Sequence, residues 1–112
     1  MQIEKERRQL TRVEVNWPIT IYTDINKMEG ETKNISSEGL YVCCDNPLPL
    51  NKIFRMSINP PEHQSIGLTG KVVWSDMYGI EGKEDFYGMG ICLVQISDDE
   101  QKQLHNIIAN YL

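Results

Sequence analysis

Val13-Glu14-Val15-Asn16-Trp17-Pro18-Ile19-Thr20-Ile21-Tyr22-Thr23 is the stretch whose reading decides the fold. Val13, Val15, Trp17, Ile19 and Ile21 fall on one side; Glu14, Asn16, Pro18, Thr20 and Tyr22 fall on the other. Alternation sustained over that length is the pattern of a strand with one dry and one wet face. Pro18 has no N–H to donate to a ladder. The strand is therefore expected to lie at an edge or to carry a bulge near that point.

Further strands follow outward from this one. Asp24 to Gly30 reads as a turn, and Glu31 to Ile35 as the second strand. Asn34-Ile35-Ser36-Ser37-Glu38-Gly39 suits a sharp turn, because Asn and Ser bond nearby backbone and Gly admits positive φ. Leu40–Cys44 and Ile53–Ile58 are the third and fourth strands, separated by a loop with two prolines, Pro47 and Pro49. Ile66 to Ser75 is the fifth, with Ile66, Leu68, Gly70, Val72 and Trp74 on one side. That parity assigns Trp74, like Trp17, to the core. Gly67 and Gly70 suggest a bend of the kind a barrel corner needs. Phe86 to Ile96 is the sixth strand, and its Gly88-Met89-Gly90 removes side chains where something approaches closely.

The period then changes. Ser97-Asp98-Asp99-Glu100 is a capping box, in which the Ser hydroxyl accepts from the N3 amide and Glu100 reaches back. Leu104, Ile107, Ile108, Tyr111 and Leu112 recur at helical spacing, so one amphipathic helix lays this stripe on the sheet. Six short strands and a terminal helix imply a small antiparallel barrel or sandwich with a helical lid. No internal repeat or linker interrupts it.

The chain has 112 residues, the length of one domain, and a formal net charge of −5. An acidic balance argues against a general nucleic-acid binder, which would carry a basic face. Three cysteines, Cys43, Cys44 and Cys92, without a Cys-x-x-Cys spacing fit buried thiols in a reducing cytosol better than a disulfide framework. No signal peptide and no apolar run of membrane-spanning length is present, so the expected location is cytoplasmic. His63 and His105 lie in no metal-ligand spacing, and no Walker loop, zinc signature or Gly-x-Ser-x-Gly occurs. No enzyme, metal or cofactor is expected.

Two stretches remain. Arg7-Arg8-Gln9-Leu10-Thr11-Arg12 puts three guanidiniums within six residues, just ahead of the first strand. A fixed cation with a planar fork suits phosphate oxygens and the edge of guanine. Each stretch has an ordinary reading by itself: a solvated charge run and a plain turn. In a small barrel, however, the entry to the first strand and the turn between the second and third could sit side by side. One would supply cations and the other short polar hydrogen-bonders.

Arg7-Arg8-(x)3-Arg12 followed by Asn34-x-Ser36-x-x-Gly39 resembles the two-part signature of PilZ domains, bacterial receptors for cyclic di-GMP. The resemblance extends to Gly70-Lys71-Val72-Val73-Trp74, to Tyr87-Gly88-Met89-Gly90-Ile91 and to the terminal helix. It implies a six-stranded antiparallel barrel over 13–96, a C-terminal helix over 98–112 and a mobile N-terminal arginine arm over 1–12, all in one domain of 1–112. It also implies that Arg8 and Arg12 grip phosphates and the guanine Hoogsteen edge, with Arg7 adding a phosphate contact or a stack. Asn34 and Ser36 would bond guanine or phosphate, and Gly39 would permit the turn that aims them. Asn34 stands where the family often has Asp. A basic residue at Arg7 accompanies an intercalated pair of ligands in such domains, so two cyclic di-GMP molecules per chain are expected. The output would be a protein contact altered when the arm orders over the ligand, made by a monomer or homodimer with an unidentified partner, and without DNA or membrane insertion. Two alternatives stay open: a PilZ-like interaction module that binds no nucleotide, and a small barrel binding single-stranded nucleic acid through Trp and Arg.

Overall fold

The computed structural model describes residues 12–76 and 87–112. Six strands, β1 (Val13–Tyr22), β2 (Lys27–Ile35), β3 (Gly39–Cys44), β4 (Ile53–Ile58), β5 (Ile66–Ser75) and β6 (Tyr87–Gln95), precede one helix, α1 (Asp98–Ala109). The strands close into an antiparallel barrel in the order β1-β2-β3-β6-β5-β4. Five of the six both begin and end within a residue of the sequence expectation. β2 starts earlier, at Lys27, because Lys27-Met28-Glu29-Gly30 pairs with the far end of β1 instead of turning. The turn itself is confined to Thr23–Asn26, where the Thr23 hydroxyl donates to the Asn26 carbonyl at 2.7 Å.

The alternation in β1 translates directly into burial. Val13, Val15, Trp17, Ile19 and Ile21 are all buried, whereas Glu14, Asn16, Pro18 and Tyr22 are exposed. Pro18 sits inside a closed barrel, and of the edge or bulge expected near it, an irregularity of the bulge kind is found. The register between β1 and β2 shifts between Glu14 and Trp17. The ladder between β1 and β4 begins only at Ile19. One residue earlier, the Pro18 carbonyl accepts from the Asn59 amide at 2.9 Å, so the missing Pro18 N–H falls where the ladder has already ended.

The helix covers one end of the barrel with Leu104, Ile107 and Ile108, all buried. Its stripe is shorter than expected: α1 stops at Ala109 and Leu112 is exposed. Ser97 caps it, its hydroxyl accepting from the Glu100 amide at 3.2 Å. Glu100 does not return the bond to the Ser97 amide. Its carboxylate accepts from the Ser97 hydroxyl at 2.9 Å and from the Gly67 amide of β5 at 2.7 Å. The cap thereby ties the helix start to the sheet. Beyond the helix, the Tyr111 hydroxyl accepts from Trp17 Nε1 at 3.2 Å, and the two rings meet edge to face at 5.9 Å between centroids. That contact gives the deepest indole of the core its only polar partner among the described residues.

Trp74 is where the sequence expectation fails. It is 48% exposed and stands outside the core. The β5–β6 register shifts between Val72 and Trp74, so an extra residue is accommodated there. Val72 remains buried, while Val73 and Trp74 both face outward. A bulge inverts the parity of everything after it.

Candidate functional site

Strand order, not chain order, makes the site. β3 and β5 are both neighbours of β6, and the outer surface of these three strands meets the β2–β3 turn and the entry to β1. An open cleft of about 710 Å³ lies there. Such a volume falls within the roughly 300–1,000 Å³ range of small-molecule sites. Arg12, Asn34, Glu38 and Gly39 line it together with Tyr41 and Trp74, and on β6 Gly90 lies between Tyr41 and Trp74 while Cys92 lies opposite Gly39.

The aromatic wall depends on a glycine. Tyr41 of β3 and Trp74 of β5 are both register partners of Gly90. Strands two apart are separated by about 10 Å, too far for two rings to touch over an ordinary residue. With no side chain at Gly90, the rings fold over it and stack at 5.6 Å between centroids and 29° between planes. A Cβ at Gly90 would lie 2.6 Å from Trp74 Cδ1. Gly88, one turn of the pleat away, is covered in the same manner by the Tyr41 ring and hydroxyl. The Gly88-Met89-Gly90 motif thus admits the protein's own aromatic rings. Burial raises the Tyr41 phenol above its ordinary value, helped by the neighbouring Cys43 and Asp76.

Among the polar lining residues, Arg12 Nη1 donates to Asn34 Oδ1 at 2.6 Å. The last residue of the arginine stretch and the first of the turn motif are therefore brought into direct contact, 22 residues apart in sequence. A guanidinium carries five N–H donors, and this bond uses one while holding the fork at the cleft mouth. Arg7 and Arg8 lie outside the described residues. Ser36 is placed differently from Arg12 and Asn34. It is 4% exposed and absent from the cleft lining, and its hydroxyl accepts from the Glu38 amide at 3.2 Å. The Ser36 amide in turn donates to the Gly39 carbonyl at 2.9 Å, closing the turn.

Gly39 is required for a reason other than the one its sequence context implied. Its backbone is not in the left-handed region. A Cβ there would run into the Ile91 carbonyl of β6, and would stand 3.6 Å from Cys92 Cα. Close approach of two backbones, not a positive φ, excludes a side chain.

The sequence reading missed Tyr41, Trp74 and Cys92 as cleft residues. Paired glycines in β6 were the available signal, since glycines in a strand interior mark close approach. Cys92 is exposed, whereas Cys43 and Cys44 are buried. Burial raises the Cys43 thiol and pushes that of Cys44 up to about 12. Among the described residues, no group of three or more His, Cys, Asp or Glu is gathered so as to hold a metal ion, and no helix is long and apolar enough to cross a membrane.

A family model for the PilZ domain matches residues 6–110. The chain belongs to the PilZ family. No curated protein matches it in sequence. Among solved structures, this PilZ chain is similar to the Bacillus subtilis inhibitor of motility MotI/DgrA, with 21% identity, a TM-score of 0.72, and coverage of 88% of this chain and 47% of that one. It is also similar to the PilZ domain of YcgR from Escherichia coli with c-di-GMP, at 13% identity and a TM-score of 0.75, covering 94% and 91%. The K. pneumonia MrkH–c-di-GMP complex gives 15% identity and a TM-score of 0.79, covering 93% and 52%. The chain thus spans about half the length of MotI/DgrA and of MrkH. At these identities the likeness is one of fold: a PilZ barrel with its terminal helix.

Proposed function

We propose that this PilZ chain is a receptor for cyclic di-GMP that acts as a signalling adaptor. The observation that carries the reading is the Arg12–Asn34 contact at the mouth of the cleft. It joins the two halves of the family signature and leaves guanidinium donors facing a cavity with an aromatic wall. The chemistry matches a cyclic dinucleotide in three respects. A guanidinium fork fits phosphate oxygens and guanine O6 and N7. An exposed indole offers a face for a base, a contact worth about 1–3 kcal/mol. Asn34 offers an amide that both donates and accepts.

In this reading Arg12 and Asn34 hold the ligand from the barrel, and Arg7 and Arg8 reach it from the arm. Ser36 and Gly39 act by setting the turn. Fixing a six-residue arm costs on the order of 6–12 kcal/mol if it starts without structure, so charge-assisted bonds to the ligand must offset that. Ligand binding and arm ordering are then one event, which turns nucleotide concentration into a new surface for a partner. Two intercalated ligands per chain fit the three-arginine arm. The chain works in the cytoplasm, where the messenger is made, as a monomer or homodimer.

Calorimetric titration with cyclic di-GMP tests the proposal. Wild type is expected to bind at micromolar concentration or tighter, with two ligands per chain. Arg8→Ala and Arg12→Ala are expected to lose at least tenfold, since each removes a charged contact of about 1.5–3 kcal/mol. No binding by wild type refutes the receptor role, and a stoichiometry of one refutes the intercalated pair.

A further inference from the structure

Glu38 is a carboxylate in a cleft otherwise suited to an anion. It lines the site, its side chain is exposed, and among the described residues its carboxylate bonds to nothing. Its backbone, by contrast, is clamped on both sides. The Glu38 amide donates to the Ser36 hydroxyl at 3.2 Å, and the Glu38 carbonyl accepts from the Leu93 amide of β6 at 2.8 Å. A free side chain on a fixed backbone, at the rim of a binding cleft, is built to meet something in that cleft.

Position and chemistry narrow what that is. Tyr41, Gly90 and Trp74 form one row across β3, β6 and β5, while Gly39 pairs with Cys92 two residues further along. Glu38 is three residues from Tyr41, about 10 Å along the strand. A purine lying against the aromatic wall and a glutamate side chain fill that span end to end. An ionised carboxylate is an acceptor only. It cannot face guanine O6 or N7, which are also acceptors and suit the Arg12 fork instead. It can accept from N1–H and the 2-amino group, two parallel donors on the adjoining Watson–Crick edge. Adenine places a bare N1 at the first of those positions and has no 2-amino group.

We infer that Glu38 is a specificity-determining residue, reading the Watson–Crick edge of a guanine in the cleft through N1–H and the 2-amino group and rejecting adenine. Ser36 is a positioning residue in this scheme, acting through the Glu38 backbone. The inference rests on the receptor role proposed above. It adds a discrimination that the Arg12 and Asn34 side chains do not supply.

The test compares three probes on the full chain by calorimetry: cyclic di-GMP, cyclic di-AMP and the hypoxanthine analogue cyclic di-IMP, which keeps N1–H and lacks the 2-amino group. Wild type is expected to prefer cyclic di-GMP over cyclic di-IMP by about tenfold, the scale of a bidentate base contact, and over cyclic di-AMP by more. Glu38→Gln places an amide donor toward the base. It should weaken cyclic di-GMP and strengthen cyclic di-AMP, shrinking their ratio by about tenfold or more. Glu38→Ala should weaken cyclic di-GMP without gaining cyclic di-AMP. If Glu38→Gln leaves the ratio unchanged while wild type still binds cyclic di-GMP, the assignment of Glu38 is wrong and the receptor role stands. A uniform rise in affinity for all three probes also overturns it, showing only a repulsive charge. Absence of binding by wild type overturns both.

Discussion

Gly39→Ala separates two explanations for the last residue of the turn motif. If Gly39 served a left-handed turn, Asn would substitute well, because Asn tolerates that region. The structure attributes the requirement to the Ile91 carbonyl, which any Cβ would strike. Backbone cannot swing aside as a flexible side chain can, so β3 must move off β6 where the two strands meet at Gly39 and Cys92. Overpacking of this kind costs about 1–3 kcal/mol. Parting the strands also lengthens the Leu93–Glu38 backbone bond of 2.8 Å, worth about 0.5–1.5 kcal/mol net. The total is about 2–4 kcal/mol; at about 4 °C per kcal/mol for a chain of this size, Tm falls by about 8–16 °C. Circular dichroism melts of wild type, Gly39→Ala and Gly39→Asn check it. Both variants should fall, with Asn no better than Ala. A Gly39→Ala melt within about 2 °C of wild type, or rescue by Asn, refutes the reasoning.

Tyr111→Phe strips the partner from the Trp17 indole N–H, which is buried with the rest of that side chain. The cost should be about 1 kcal/mol, the low end for an unsatisfied donor, because Tyr111 is half exposed and water reaches its edge; urea titration showing no loss would mean the bond is not made in solution. Iodoacetamide should label Cys92 first, since it is the exposed thiol of the three and lines the cleft, and saturating cyclic di-GMP should slow that labelling. Mass-mapped modification at Cys43 or Cys44 ahead of Cys92 would contradict the assigned burial. Alkaline stability should follow Cys44, whose thiol is held neutral up to about 12 in the fold. The folded pKa is the higher one, so this contribution is complete below pH 9, the ordinary thiol value, and is lost as pH rises toward 12. The loss is on the order of 4 kcal/mol, with Tyr41 acting in the same direction. Denaturant titrations at pH 8 to 11 should steepen less in Cys44→Ala; an unchanged slope would assign the alkaline loss elsewhere.

The fold was legible wherever burial follows parity. β1 announces its inner face at every second residue, and Leu104, Ile107 and Ile108 announce the face of α1. What parity cannot show is a slip by one residue. Val72-Val73-Trp74 is apolar throughout, so nothing in the string marks where the bulge falls, and Trp74 was placed on the wrong side of the sheet. The site divides in the same manner. Arg12 and Asn34 could be paired from the sequence because a signature named both. Tyr41, Trp74 and Cys92 could not, because they meet only when β6 inserts between β3 and β5, an order that chain succession does not suggest. Gly39 was found as a residue but misread as to cause, since it makes room for a carbonyl, while Ser36 accepts from the Glu38 amide inside the turn, a bond the sequence did not show.

The closure of the barrel limits how the proposed adaptor could pass on a signal. Among the described residues every strand has a neighbour on both sides, although the β1–β4 seam is laddered only over Ile19–Tyr22, so most of the backbone N–H and C=O groups are closed to an incoming strand. Where the ladders are complete, a partner cannot dock by extending the sheet, the mode in which main-chain hydrogen bonds give the affinity. In the proposed adaptor role, a partner docking on those faces would have to be matched through side chains, on a curved surface whose chemistry differs at every position. That favours a reader matched to this chain over one that accepts any barrel of its kind.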